Sequence, residues 1–337
     1  MKNILYVGNK LSHHGFSPGV IETLGRQLEE AGYKVYYAGT IKNKVLRLLE
    51  MLLKTIFVGR KADYIMIDTY STNAFWFAYM TGQLAQFMCK KYITILHGGD
   101  LPERIKRSKK ACDLLFLNSY ANVAVSGYLQ HAFKLNNYSV ALIPNGIQLE
   151  RYPYKIRNSP APRLLWVRAF SEIYNPLMAV DVIAELIKDY PEASLCMIGP
   201  DRDGSVKEFI TYASNKGVKK NIIITGKLDR EEWIKRSEDY DFFINTTNID
   251  NTPVSVIEAM ALGLIIVSTN PGGIPFLLSN NIDSKLVNRN DAKAMAYAIK
   301  AIIENPSEVF RLTDAARKKA ESFSSKNTIS LWLKLLS

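Results

Sequence analysis

Asp250 and Glu258 stand eight positions apart in NTTNIDNTPVSVIEAMALG, a stretch that is polar up to Thr252 and mostly apolar from Val254 onward. An ionised carboxylate only accepts hydrogen bonds, so the pair suits the hydroxyls of a sugar diol or cationic neighbours. The apolar residues after Pro253 put Glu258 inside a helix, roughly two turns from Asp250, where an unpartnered carboxylate is costly. Two readings stand: Glu258 salt-bridges a neighbour while Asp250 caps the helix or its loop, or the helix N-terminus, Pro253, Val254 and Ser255, faces an anionic ligand while Glu258 accepts from a diol. Arg168, at the exit of RLLWV, is either a strand-end salt bridge or a phosphate-binding cation. His97 opens HGGD after the apolar run KYITIL, where two glycines let a ligand approach the backbone; the alternative is a satisfied structural histidine.

The elements that would position these groups follow from the pattern. Asp241 to Asn245 (DFFIN) reads as a strand, Pro253 opens a helix, Gly263 ends it as a left-handed cap, LIIVST is a second buried strand, and NPGG is a tight loop. The chain opens the same way. KNILYVGN is a strand, Val20, Ile21, Leu24 and Leu28 recur at helical spacing, and KVYYAG is the next strand. The loop between, Gly15 to Gly19, could offer backbone N–H groups to a phosphate, although it lacks the dinucleotide pattern G-x-G-x-x-G. His13 and His14 in that loop are either acceptor contacts or solvated. In Ile41 to Lys61, Val45, Leu48, Leu49, Leu52, Leu53 and Ile56 form one helical stripe, and six Lys and Arg residues are opposed only by Glu50. That describes either a core helix with a solvated face or a basic amphipathic helix lying on an anionic leaflet.

With 337 residues, 47% of them apolar, the chain can bury two sizeable cores. No stretch approaches the roughly 20 apolar residues of a membrane span, and Met1-Lys2 leads into a strand rather than a signal peptide, so the expected compartment is cytoplasmic. Cys89, Cys112 and Cys196 are widely spaced and read as small buried hydrophobes. A net charge of +11 fits phosphate-bearing substrates, an anionic membrane surface or nucleic acid, but no zinc-finger, RNP-like or basic-zipper pattern supports the last. LPERIKRSKK is a basic surface run that could meet a phosphorylated or lipid-linked acceptor.

The stretch D-NTPVSVI-E-AMALG followed by NPGG resembles the nucleotide-sugar signature of glycosyltransferase family 4, retaining enzymes of the GT-B fold, with Asp250 where Glu is commoner. PNGI followed by ERY, near Asn145 and Gly146, is similar to the family's interdomain segment. The resemblance implies an α/β protein with two Rossmann-like domains, their parallel sheets facing an interdomain cleft, and a C-terminal helix crossing back to the first domain. We expect boundaries at 1–155, 156–318 and 319–337, with RNSPAP as a linker. The implied roles are Glu258 on the ribose, Asp250 and His97 on the sugar, Arg168 on the diphosphate, the Gly15 and Gly19 loop beside the donor sugar and phosphates, and Gly226, Lys227 and Leu228 on the base, mostly through backbone. After Arg168 the family usually carries a Lys-Gly; here SEIYNP places Asn175 and Pro176 there. Asn175 remains a donor-side candidate, and Lys227 or a first-domain residue is the candidate second cation.

The implied reaction is transfer of a sugar from a nucleoside-diphosphate sugar to an acceptor hydroxyl with retention, in polysaccharide, lipopolysaccharide or glycolipid synthesis. No metal and no cofactor are expected. The partners implied are the donor, a sugar or lipid-linked acceptor, and an anionic membrane surface met by Ile41 to Lys61. Two other readings are a GT-B protein that binds nucleotide sugar without transferring it, and a basic nucleic-acid binder.

Overall fold

The structure is a computed structural model that describes residues 2–15 and 18–337. Its strands are β1 (Asn3–Val7), β2 (Lys34–Ala38), β3 (Tyr64–Thr69), β4 (Tyr92–Leu96), β5 (Ala121–Ala124), β6 (Ala141–Leu142), β7 (Arg163–Val167), β8 (Ser194–Ile198), β9 (Ile222–Gly226), β10 (Phe242–Asn245), β11 (Ile265–Thr269) and β12 (Lys285–Val287). They form two six-stranded sheets, ordered β2-β1-β3-β4-β5-β6 and β12-β11-β10-β7-β8-β9. Neighbours pair in parallel, as β1 does with β3 and β7 with β10. Parallel strands need crossovers, which the intervening helices supply, so the central strands are covered on both faces. Every residue of β3, β4, β10 and β11 is buried. That is why these strands read as continuous apolar runs.

In each sheet the strand order reverses at one place, between β1 and β3 and between β7 and β10. The loops leaving the carboxyl ends of such a strand pair diverge and open a crevice for ligands. Gly8 and Asp68 lie at the first of these places. Arg168, which follows β7, and Asp250, in the loop after β10, lie at the second.

The chain divides into two compact units, Met1–Gly146 with Ser325–Ser337, and Ile147–Ser324. The terminal helix Ser325–Leu336 puts Trp332 and Leu336 into the core of the first unit. The helix before it, Ser307–Ser322, buries Val309, Leu312, Ala316 and Ala320 in the second. Residues 147–155, assigned from sequence to the first domain, pack with the second, where Ile147 and Tyr152 are part of the core. Nor is RNSPAP a slack connector. Arg157 is 4% exposed, and its guanidinium donates to the carbonyls of Tyr240, Leu262, Lys155 and Ser237 at 2.9–3.2 Å.

Two other expectations are corrected. Cys89 is exposed, sitting just past the helix Phe75–Phe87 with a left-handed φ of 54°; only Cys112 and Cys196 are buried. The helix Lys44–Phe57 does not turn its predicted stripe inward. Arg47, Met51 and Thr55 are buried, whereas Val45, Leu46, Leu49, Leu53 and Phe57 are between 50% and 69% exposed. Apolar residues lie on more than one face of this helix, so sequence periodicity does not choose between them. The choice is made by Met51, whose methyl packs against Gly39 at the end of β2, and by Thr55, whose hydroxyl donates to the Met51 carbonyl at 2.7 Å. Among the described residues no helix is long and apolar enough to cross a membrane.

Candidate functional site

In the second unit the carboxyl ends of β7, β8 and β9 and the N-terminus of the helix Val254–Ala261 surround a depression of about 530 Å³. Eight residues singled out from sequence line it: Arg168, Lys227, Leu228, Asp250, Pro253, Val254, Ser255 and Glu258. Gly226 ends β9 immediately before Lys227. Pro253 is the N-cap of the helix rather than its first residue, and no side chain caps that end. The helix closes with Gly263 at φ +74°, the left-handed conformation its position requires.

Asp250 is seated from behind by NPGG. The Gly273 N–H donates to the Asp250 carbonyl at 2.8 Å. A Cβ on Gly272, which has a φ of +58°, would lie 2.4 Å from that same oxygen, and a Cβ on Gly273 would lie 1.9 Å from the Asn251 carbonyl oxygen. Both glycines are therefore needed for this approach of backbone to backbone. One carboxylate oxygen of Asp250 accepts from the Asn251 N–H at 2.9 Å and the other forms a close ion pair with Arg168 Nη2. Burial pushes the Asp250 carboxyl above its ordinary range, with Arg168 acting in the opposite direction.

Arg168 is held at 4.8 Å over the Tyr174 ring, and its Nε is buried without a hydrogen-bond partner. Ser255 Oγ, in the first turn of the helix, is also buried and unpartnered. Buried donors are normally paired. The Arg168 Nε, the Ser255 hydroxyl and uncapped helical N–H groups lie together around one depression, an arrangement that an anion completes. Arg202, Lys227 and Arg230 add three more cations to its lining.

Glu258 is 6% exposed. Its Oε1 accepts from the Tyr152 hydroxyl at 2.5 Å and faces Arg230 Nε at 3.4 Å. Burial raises the Glu258 carboxyl above its usual range, against the lowering effects of the Tyr152 bond and Arg230. Each carboxylate is paired within the protein and each lines the depression; Asp250 does not cap the helix.

Asn175 does not reach this lining. Its Oδ1 accepts from the Met178 N–H at 3.3 Å, capping the helix Pro176–Leu186, and its Nδ2 donates to Asn290 at 2.7 Å. It borders a separate depression with Glu172 and Asp203. The cations near Arg168 are instead Arg202, Lys227 and Arg230, of which the sequence pointed only to Lys227.

His97, Gly15 and Gly19 belong to the first unit. Gly15 closes a short helical turn with φ +84°, and Gly19 is the N-cap of the helix Val20–Glu30; Phe16 and Ser17 of that loop lie outside the described residues. His97 follows β4, and its Nε2 lies 2.9 Å from Asp68 Oδ1, which also accepts from the Tyr6 hydroxyl at 3.2 Å. The rings of Tyr70 and His97 are 5.4 Å apart. Asp68 was missed from sequence, although a carboxylate closing an otherwise apolar strand, DYIMIDT, was a signal. Among the described residues, no group of His, Cys, Asp and Glu is placed to hold a metal ion.

The Asp68 carboxylate also occupies space that a side chain at position 8 would need: a Cβ on Gly8 would lie 2.3 Å from Asp68 Oδ2. Gly8→Ala is expected to destabilise by about 1–3 kcal/mol, the usual cost of overpacking. In an Asp68→Ala background the same change should cost less than half as much, because the clashing group is gone. Urea unfolding of the four proteins measures this, and additive effects would refute the contact.

The chain was compared with known proteins. Residues 154–319 match the family model for glycosyl transferases group 1. Over 246 residues the chain is 25% identical to the amylovoran biosynthesis glycosyltransferase AmsK of Erwinia amylovora, covering 69% of this chain and 60% of that protein. It is 27% identical over 222 residues to the putative teichuronic acid biosynthesis glycosyltransferase TuaC of Bacillus subtilis, covering 62% and 54%. The chain thus spans little more than half the length of these curated relatives. Among solved structures it superposes on Anabaena HepE in complex with UDP with a TM-score of 0.78 at 16% identity, covering 100% and 99% of the two chains. Sucrose-phosphate synthase of Thermosynechococcus elongatus gives 0.77 at 15% identity, covering 99% and 98%. The fold is GT-B, and the segment that matches the group 1 glycosyl transferases contains Arg168, Asp250, Glu258 and the rest of the depression except Tyr152's supporting contact.

Proposed function

We propose that this chain is a glycosyltransferase that moves a sugar from a nucleoside-diphosphate sugar to an acceptor hydroxyl, in synthesis of a cell-surface polysaccharide, lipopolysaccharide or glycolipid. The observation that carries this reading is the depression beside Arg168, with its excess of cations, two unpaired buried donors and an uncapped helix end next to a buried carboxylate. Arg168, Ser255 and the helix N-terminus hold the diphosphate; Glu258 accepts from the ribose diol; Asp250 and His97 meet the transferred sugar; Gly226, Lys227 and Leu228 border the base.

In the finer reading the chain is a family 4 enzyme and the configuration is retained. A departing nucleoside diphosphate concentrates negative charge on its leaving oxygen, and preorganised cations with helical N–H groups stabilise it there. The leaving phosphate helps to deprotonate the acceptor, so no covalent nucleophile and no metal are invoked. AmsK is named for amylovoran biosynthesis and HepE is solved in complex with UDP, which is in keeping with a uridine donor here. The exposed apolar face of the helix Lys44–Phe57, rimmed by Lys42 and Lys44, supports peripheral attachment to the inner face of an anionic membrane.

The test is a thermal-shift panel of nucleoside diphosphates and their sugars, followed by measurement of nucleoside diphosphate released from whichever donor binds. One base series should raise the melting temperature by mass action. Absence of any shift across the panel would refute the donor site, and a shift without turnover on any acceptor would leave a binding protein.

A further inference from the structure

His97 is fixed from two sides by the end of β3. Its backbone N–H donates to the Thr69 carbonyl at 3.0 Å, and its ring Nε2 lies 2.9 Å from Asp68 Oδ1. Gly98 permits this close approach, because a Cβ there would lie 2.5 Å from the Ser71 nitrogen. The Ser71 carbonyl is held in turn, accepting from Arg104 Nε at 2.8 Å. The loops leaving β3 and β4 are thus joined through backbone as well as through the imidazole.

Asp68 is held as firmly as the ring it meets. It is buried, and its Oδ1 accepts from the Tyr6 hydroxyl at 3.2 Å as well as from the imidazole. Burial, and then the Asp68 charge, push the Tyr6 hydroxyl well above its ordinary range, so it keeps its proton and stays a donor. Oδ2 is buried without a partner and abuts Gly8, where a Cβ would lie 2.3 Å away, so the carboxylate has no room to turn. An ionised carboxylate only accepts, and the ring nitrogen facing it must therefore carry the hydrogen. That nitrogen is Nε2. Nδ1 is then bare, and among the described residues nothing donates to it.

We propose that Asp68 is a positioning residue, which holds His97 in the Nε2–H tautomer so that Nδ1 is kept as an acceptor for a hydroxyl of the transferred sugar. The choice of ligand rests on the glycosyltransferase reading, whereas the state of the ring is read without any substrate. The consequence is selectivity at one atom. A sugar hydroxyl can donate to the bare nitrogen, and an ionised phosphate oxygen, which only accepts, has nothing to give it. His97 held in this way takes hydroxyls and rejects the phosphate oxygens that suit Arg168.

Nitrogen-15 NMR of the histidine rings in the whole chain tests it first. The chain has four histidines, and His97→Gln identifies the His97 signals by their loss. At neutral pH the wild type should show His97 with a hydrogen on Nε2 and none on Nδ1, and that N–H, held by Asp68, should exchange slowly enough to be seen in water. Tyr6→Phe should keep the signal and Asp68→Ala should lose it. Release of nucleoside diphosphate, from whichever donor raises the melting temperature, is then measured for Asp68→Asn, His97→Gln and the double variant. Asp68→Asn is close to the native side chain in shape, so this arm stands even if Asp68→Ala does not fold. It should lower kcat/KM roughly tenfold, the effect of one misdirected hydrogen bond, and by less than about twofold when His97 is already Gln. A hydrogen on Nδ1, or on both nitrogens, in the wild type overturns the proposal. So does an Asp68→Asn variant with no loss, or with the same loss whether or not His97 is present, since Asp68 would then be structural. The expected ring spectrum in a chain that turns over no donor refutes the transferase reading and leaves the hold of Asp68 on His97 standing.

Discussion

Arg168→Ala is expected to lower kcat for release of nucleoside diphosphate by about two to three orders of magnitude, the loss seen when one preorganised charge-stabilising group is removed from a transition state. Arg168 is the one cation lining the depression that is largely buried, it is braced on the Tyr174 ring, and it keeps an unused Nε donor in addition to its pair with Asp250. Removing it has a second effect, since Asp250 then keeps its burial and loses its counter-charge, and its carboxyl moves further above the ordinary range. Arg168→Lys should recover only part of the activity, because an ammonium cannot hold Asp250 and a phosphate oxygen with separate N–H groups of one rigid plane. Steady-state kinetics on the three proteins decide the matter, and a kcat for Arg168→Ala within threefold of wild type would remove Arg168 from the chemistry.

Glu258→Gln is expected to make the protein more stable and a poorer binder. Burial raises the Glu258 carboxyl, so the native state holds its proton over a pH interval in which the unfolded chain has already lost it. In that interval the native state binds more protons, and stability falls as pH rises from the ordinary carboxylate value through the raised one. At neutral pH the ionised form is therefore a net cost, which the amide avoids while still accepting from Tyr152. The melting temperature should rise by roughly 2–4 °C at neutral pH, as about 1 kcal/mol gives in a unit of this size. The gain should shrink as pH falls into the carboxylate range. Nucleoside diphosphate affinity should drop by about 10-fold or more, because hydrogen bonds to a charged acceptor are the stronger ones. Melting curves across pH, paired with titration of the nucleotide, test both halves. A variant that is less stable at neutral pH would show that the carboxylate is structural.

The two results separate what was legible from the chain. Asp250, Pro253, Glu258 and Gly263 lie within one strand, loop and helix, and local rules of turn and helix capping suffice to place them. The NPGG loop was read as a turn, yet its purpose, to bring backbone against Asp250 and Asn251, needs two segments side by side. Tyr152 reaches Glu258 across 106 residues, and neither its type nor its spacing announces the contact. Asn175 illustrates the opposite error. Its place in line with a usual lysine suggested a ligand contact, and a left-handed turn spends its side chain on capping a helix. The orientation of Lys44–Phe57 could not be read because its leucines cover more than one face, so tertiary packing at Gly39 and Met51 decides which side is wet.

The way the units share the chain bears on how the molecule is made. Ile147 and Ser324 pair as a bridge, and the Ile147 N–H donates to the Phe323 carbonyl at 2.8 Å, so the second unit begins and ends at one point and is closed by its own residues. The first unit is not. Its core includes Trp332 and Leu336, and the Lys2 ammonium donates to the carbonyls of Leu336 and Ser337 at 2.6 Å. During synthesis the amino-terminal sheet leaves the ribosome early with part of its apolar surface bare, and that surface stays uncovered until the second unit has been threaded through and the last helix emerges. Of the two units, the one whose sheet is made earlier is the one completed later, because the helix Ser325–Leu336 follows the whole of the second unit.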